Sequence, residues 1–209
     1  VLLNQNVKLR NFFRTVAFFP YVASLVAVAA VWNMIFNPSM GPINMILNQF
    51  FGVAAENLPR WAAGKDTAMI TVILFSVWKN MGYYMVIYLA GLQGCNPDLN
   101  EAAELDGANR FQQCLHVTIP AILPTISTLL VLNIGSLCGS AAFEKVFLLY
   151  TPTTYETADI IATYVYRMGL GSGNYSYATA VGLFQGVINL VLLTVANKVS
   201  SWLTGSGLW

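Results

Sequence analysis

Four long apolar stretches, 16–36, 67–89, 122–142 and 177–196, constrain this chain more than any other feature, because none of them contains an Asp or a Glu. Each holds about 20 residues, which at about 1.5 Å rise per residue matches the hydrocarbon core of a bilayer. Inside lipid the backbone groups of such a stretch must be satisfied internally, so the stretches read as helices and not as open strands. The expected fold is therefore all-α, a polytopic transmembrane helical bundle forming one domain over 1–209. Charged residues make up only 9% of the chain, far below the roughly 25% of a soluble domain. The net charge of +1 gives no support for a nucleic-acid partner.

The remaining composition excludes further chemistry. Cys95, Cys114 and Cys138 form no CxxC pair, and His116 is the one histidine, so no zinc-type ligand set can be assembled and no metal or other cofactor is expected. No G-x-x-x-x-G-K-[ST] loop is present, so ATP hydrolysis by that route is closed. Gly169, Gly171 and Gly173 lack the following lysine and read as turn residues. Breakers at Pro38, Gly41, Pro42, Gly52, Pro59 and Gly64 mark 37–66 as a connection, with a short interfacial helix over 43–47. The connection 143–176 carries Tyr150, Tyr155, Tyr164 and Tyr166, aromatics suited to a membrane–water boundary. Lys8, Arg10, Arg14, Arg110 and Lys198 fall on one side of the membrane and Arg60, Lys65, Lys145 and Arg167 on the other. That is a slight positive-inside bias. The chain starts at Val1 without a signal-peptide pattern, and 1–3 reads as the tail of an earlier apolar helix.

The loop 92–120 carries the most information. Asp98 with Glu101 has capping-box spacing and predicts a helix start, and Gly107 predicts a left-handed stop. Asn109 with Gln112 repeats the capping spacing, and Phe111, Cys114, Leu115 and Thr118 then share one face of a second short helix. Asp98, Glu101, Glu104 and Asp106 stand against Arg110. Ala102, Ala103, Gly107 and Ala108 are small enough for another backbone to approach.

Glu101-Ala102-Ala103, three residues, Gly107, nine residues and Val117-Thr118-Ile119-Pro120 resemble the EAA loop of permeases in binding-protein-dependent ABC importers. Lys8-Leu9-Arg10, Phe13-Arg14-Thr15, Pro20-Tyr21, Trp32, Phe36-Asn37, Gly41, Asn44 and 148–167 extend the likeness to the first permease of maltose-transporter-type pairs. The stretch 175–185 and the ending Gly207-Leu208-Trp209 resemble its complex-saccharide branch. The resemblance implies a MetI-like fold lacking its first span and most of its second. It also implies a multi-pass subunit of the bacterial cytoplasmic (inner) membrane that is not itself an enzyme. Its partners would be a second permease in a heterodimer, two ATPase subunits that bind the ATP, an extracellular solute-binding protein, a saccharide substrate and membrane lipid.

By the same resemblance Glu101, Ala102, Ala103, Asp106, Gly107, Arg110 and Phe111 form a coupling helix that docks on an ATPase. Aligned outward from the loop, Lys79, Asn80, Tyr83, Asn133, Ser136, Leu137 and Ser140 fall on sugar-lining positions, although most identities differ from the maltose pattern. Two placements are open for Lys79, toward the path or out to the membrane surface. Gly135 with Gly139, and Gly182 with Gly186, have the small-xxx-small spacing of close helix packing. A channel or ion-driven transporter would call for paired intramembrane carboxylates or inverted repeats. A membrane enzyme would call for a general base. The spans supply neither.

Overall fold

The computed structural model describes residues 9–209 apart from 97, 138, 206, 208 and 209, and leaves aside the side chains of Ser140 and Leu203. Lys8, Cys138 and the 1–3 and 208–209 ends, all used above, lie outside the described residues. Every regular element among the described residues is helical. In chain order the helices are α1 (Arg10–Val22), α2 (Leu25–Ile35), α3 (Pro42–Phe51), α4 (Ala68–Gln93), α5 (Asp98–Leu105) and α6 (Arg110–Gln113), then α7 (Ile119–Ala121), α8 (Leu123–Gly135), α9 (Phe143–Leu149), α10 (Tyr155–Ala158), α11 (Ile161–Tyr166) and α12 (Tyr175–Thr204). Two of these, Ala68–Gln93 and Tyr175–Trp202, are long and apolar enough to cross a membrane. The number rises to as many as four if each broken pair, α1 with α2 and the α6–α7 arm with α8, counts as one span.

The breaks correct the simple picture of four unbroken rods. The stretch 16–36 is two helices that break at Ala23 and Ser24, while Pro20 lies inside α1. Ser24 is extended (ψ 129°) and starts α2 afresh. The stretch 122–142 is helical only to Gly135, after which Ser136 leaves helical geometry and Ser140–Ala142 forms a separate 3₁₀ turn. A further bend of 64° separates Arg110–Ala121 from Leu123–Gly135. It falls where Pro120 and Pro124 each withhold a backbone N–H. The short helix expected over 43–47 grows to Pro42–Phe51, because Pro42 suits the first turn and Gly52 (φ +64°) closes the end in left-handed geometry.

The described residues fall into two compact units. One comprises 22–80 and 138–187. Its core is Ala29, Val72, Phe75, Val146 and Leu149, with Leu25, Val28, Trp32, Leu148, Tyr150 and Ile160 packed around it. Trp32 is ringed by Phe36, Phe75 and Trp78, with centroids 4.6, 5.4 and 5.3 Å away. Asn44 is 2% exposed and organises the 37–66 connection. Its Nδ2 donates to the carbonyls of Pro38 (2.9 Å) and Pro59 (3.1 Å), and its Oδ1 accepts from Trp61 Nε1 (2.7 Å). Asn44→Ala orphans one half-buried indole donor and two carbonyls. We expect a loss of about 2–3 kcal/mol, seen as a lower thermal unfolding midpoint, since a buried group without its partner costs about 1–3 kcal/mol.

In the same unit the tyrosines of the 143–176 connection gather on Arg167. Its guanidinium lies 4.3 Å from the Tyr155 ring centroid and 5.7 Å from that of Tyr164, and it donates to Asp159 Oδ2 at 2.5 Å. The hydrogen bond to Asp159 is the main reason the Arg167 pKa is raised above its ordinary value. Gly171 ends a π-turn and Gly173 (φ +70°) makes the left-handed turn behind it. Gly169 is instead buried, and a Cβ there would lie 2.7 Å from Ala178 Cβ.

The other unit comprises the described parts of 1–21 with 81–137 and 188–209. Here α1 lies against α4 so closely that a Cβ on Gly82 would sit 2.5 Å from Phe18 Cα and press on the Ala17 carbonyl oxygen. Gly135 admits Leu193, whose Cδ1 lies 2.5 Å from where a Cβ would be. Gly182 and Gly186 on α12, which belong to the unit holding 22–80, meet nothing within 4 Å among the described residues.

Candidate functional site

The loop folds as a helix–turn–helix, from local signals that agree with one another. α5 begins at Asp98, with Asp98 and Glu101 both in the first turn. The Asp98 N–H donates to Asn96 Oδ1 (3.0 Å), so Asp98 stands one step inside the helix and not ahead of it. The stop is a Schellman motif. Gly107 (φ +77°) donates to Glu104 O at 3.0 Å and Ala108 to Ala103 O at 2.9 Å. The second arm opens with a reciprocal capping box, in which Gln112 N donates to Asn109 Oδ1 (2.9 Å) and Asn109 N to Gln112 Oε1 (2.8 Å). Gln113 Nε2 ties the arm back to the Ala108 carbonyl at 2.9 Å. From Cys114 to Thr118 the helix widens into a π-turn, which breaks the single face expected for Phe111, Cys114, Leu115 and Thr118.

Very little of this loop is spent on internal packing. Glu101, Ala102, Asp106, Gly107, Arg110 and Phe111 are exposed and Ala103 is half-buried. Leu105 is 90% and Phe111 75% exposed, although both are large and apolar. Ala103, Asp106, Gly107, Gln112 and His116 edge a shallow open groove of about 370 Å³ between the arms. Two bare apolar knobs flanking small residues and a cluster of carboxylates make a surface that another protein can cover.

The expected path residues separate into groups. In the unit holding 81–137, Tyr83 stacks on Tyr21 (5.0 Å between centroids, 25° between planes) and meets the edge of Tyr84 at 5.4 Å. Tyr84 Oη donates to Asn133 Oδ1 at 2.7 Å, Asn133 Nδ2 donates to Leu129 O at 2.6 Å, and Ser136 Oγ donates to Asn133 O at 3.0 Å. Tyr83, Asn133 and Ser136 thus belong to one polar and aromatic cluster on α1, α4 and α8, with Leu137 exposed beyond it. In the unit holding 22–80, Lys79 is 7% exposed and its Nζ donates to the Ala23 carbonyl at 2.9 Å. Its charge caps the backbone at the break after α1. Asn80 beside it is half-buried. The Ser140 backbone starts a 3₁₀ turn, and its side chain lies outside the described set.

Sequence reasoning passed over Tyr21 and Tyr84, which hold this cluster together. A signal was there. A tyrosine hydroxyl within an apolar helix needs a partner, and Asn133 is one of the few amides available on another apolar stretch.

A sequence profile described as "Binding-protein-dependent transport system inner membrane component" matches residues 2–204. The chain is 35% identical over 200 residues to the polygalacturonan/rhamnogalacturonan transport system permease protein YteP of Bacillus subtilis (strain 168). That match covers 96% of this chain but 61% of the relative, so the chain spans about three fifths of the length of that protein. Two solved structures superpose closely, both at 36% identity. One is a bacterial alginate ABC transporter in complex with alginate pentasaccharide-bound periplasmic protein (TM-score 0.92, covering 99% of this chain and 71% of that one). The other is a bacterial ABC transporter involved in the import of the acidic polysaccharide alginate (TM-score 0.89, covering 97% and 70%). With nearly its whole length matched in sequence and in fold, the chain belongs to the family of binding-protein-dependent transport system inner membrane components.

Proposed function

We propose that this chain is the membrane permease subunit of an ATP-driven importer for an acidic oligosaccharide, working in the bacterial cytoplasmic membrane as a multi-pass protein. The observation that carries the reading is the bare helix–turn–helix, in which the EAA sequence, a left-handed Gly107 and exposed Leu105 and Phe111 stand together on one loop. A second permease completes the path as a heterodimer, two ATPase subunits dock from the cytoplasm, and an extracellular binding protein delivers the saccharide. Glu101 pairs with a basic residue of an ATPase, Ala102, Ala103 and Gly107 let its backbone approach, and Asp106, Arg110 and Phe111 complete the contact. ATP-driven closure then draws the loops together and switches the path between inward-facing and outward-facing states. ATP is bound by the partners, and this subunit needs no cofactor of its own. Tyr83 on α4, Asn133 on α8 and Ser136 just beyond it are among the path residues this chain supplies, with Tyr83 as a stacking platform for a sugar ring. The acidic substrate class is supported by relatives named for polygalacturonan and alginate.

The test is to purify the chain with its co-assembling subunits, place the complex in lipid, and screen acidic and neutral oligosaccharides with the binding protein for stimulation of ATP hydrolysis. Stimulation by a uronate oligosaccharide is expected. A complex indifferent to every saccharide contradicts the proposal.

A further inference from the structure

Beyond their contact at Gly82, α1 and α4 border an open groove of about 390 Å³ whose lining residues all lie in one compact unit. Its floor is apolar, made by Phe18 of α1 with Met85, Val86 and Leu89 of α4. Met85, Leu89 and Gln93 stand four residues apart, so the groove follows one face of α4 for about 12 Å at about 1.5 Å per residue. One end is polar and cationic. Phe18 sits at Gly82, so Arg14 and Thr15 are the lining residues of α1 that stand toward Gln93, the last residue of α4. Arg14 and, one turn before it on the same face, Arg10 are both half-buried. No Asp or Glu is among the described residues lining the groove. α4 is long and apolar enough to cross a membrane, so its end at Gln93 falls where hydrocarbon gives way to headgroups.

We propose that this groove binds an anionic phospholipid, with an acyl chain along Phe18, Met85, Val86 and Leu89 and the phosphate at Arg14. Charge and depth argue for it together. The apolar floor lies at the depth of hydrocarbon and the cation at the depth of headgroups, which is the order of a lipid along its own length. The Arg14 guanidinium offers paired N–H donors that match phosphate oxygens, and Arg10 adds to the positive field. A zwitterionic lipid brings an ammonium group toward the same two arginines and gains less. A helix laid in the groove would instead close Arg14 off from water and would have to bring an acid to meet it. The lipid seats where α4 leaves the membrane for the loop that carries α5 and α6. That the cytoplasmic leaflet supplies it rests on the importer reading above, whereas the site itself does not.

The experiment takes the full complex in detergent, strips its lipid, and titrates it with phosphatidylglycerol, phosphatidylcholine or inorganic phosphate while native mass spectrometry counts what is bound. Arg14→Gln is expected to weaken the binding of one phosphatidylglycerol per complex about tenfold, the size of one lost charge-assisted hydrogen bond. Arg14→Lys keeps the charge and is expected to stay within about threefold of wild type. Val86→Trp leaves both arginines in place and fills the apolar floor, so it is expected to lose the same lipid, and it decides the matter if Arg14→Gln fails to assemble. Phosphatidylcholine is expected to bind there about tenfold more weakly than phosphatidylglycerol. Wild-type phosphatidylglycerol binding in either Arg14→Gln or Val86→Trp overturns the site, as does equal binding of the two lipids. Inorganic phosphate that displaces the lipid as well as added phosphatidylglycerol does marks a free-anion site and also overturns it. Saccharide-stimulated ATP hydrolysis of the same complex after lipid is restored is a separate readout, and its absence with lipid binding intact overturns the importer reading alone.

Discussion

Gly82→Ala is expected to destabilise this protein, against the usual sign for a glycine replaced inside a helix. Alanine is ordinarily better than glycine there by about 1 kcal/mol, because glycine leaves more backbone entropy to be lost. At position 82 that gain is outweighed. The first added carbon would lie 2.5 Å from Phe18 Cα and against the Ala17 carbonyl oxygen, and both are backbone atoms that no rotamer change can move aside. Overpacking of this kind costs about 1–3 kcal/mol, and here α1 as a whole has to shift. Tyr21 stacked on Tyr83 sits at the same contact, so the shift also disturbs the aromatic cluster that continues through Tyr84 to Asn133. Gly82→Leu is expected to prevent stable assembly altogether, and Gly82→Ala to lower the thermal unfolding midpoint of the purified complex. A raised midpoint for Gly82→Ala would show that α1 and α4 do not touch in this way.

That contact also shows where sequence reasoning stops. Periodicity singled out Gly135 and the Gly182, Gly186 pair as packing positions. Gly135 does receive Leu193, but Gly182 and Gly186 meet no neighbour among the described residues, while the close approach of α1 at Gly82 carries no repeat that marks it. Spacing within one helix says which residues share a face and nothing about which face meets a neighbour. The loop was far more legible, because its signals are local. The Asn109–Gln112 box and the left-handed Gly107 follow from residues three or four apart, and the structure contains both. The π-turn at Cys114–Thr118 was not legible, since it arises where the arm has to re-enter the span through Pro120 and Pro124. Lys79 was half legible. Its cost in lipid was evident, but its partner is a backbone carbonyl 56 residues away that exists only because α1 breaks at Ala23.

Phe111→Ala is expected to leave the fold of this subunit intact and yet abolish most saccharide-stimulated ATP hydrolysis. The two halves of that expectation have separate causes. Phe111 is 75% exposed, so its ring contributes little to stability within the chain. An aromatic side chain anchored in a partner's pocket, by contrast, commonly costs about 2–4 kcal/mol when truncated. At about 1.4 kcal/mol per tenfold, on the proposed docking the ATPase subunits then bind roughly 30- to 700-fold more weakly. Gly107→Val should reach the same end by another route. A β-branched residue at φ +77° is strained, at a cost of about 1–2 kcal/mol, and relief of that strain undoes the Gly107–Glu104 and Ala108–Ala103 bonds that aim the second arm. On the proposed docking, Glu101→Lys keeps the helix and reverses the charge offered to the ATPase. All three variants are expected to keep the unfolding midpoint of the membrane portion within a few degrees, to co-purify with less ATPase, and to lose stimulated hydrolysis while the binding protein still captures its sugar. Wild-type stimulation in Phe111→Ala and Glu101→Lys alike would mean that the loop, however exposed, is not where the motor pushes.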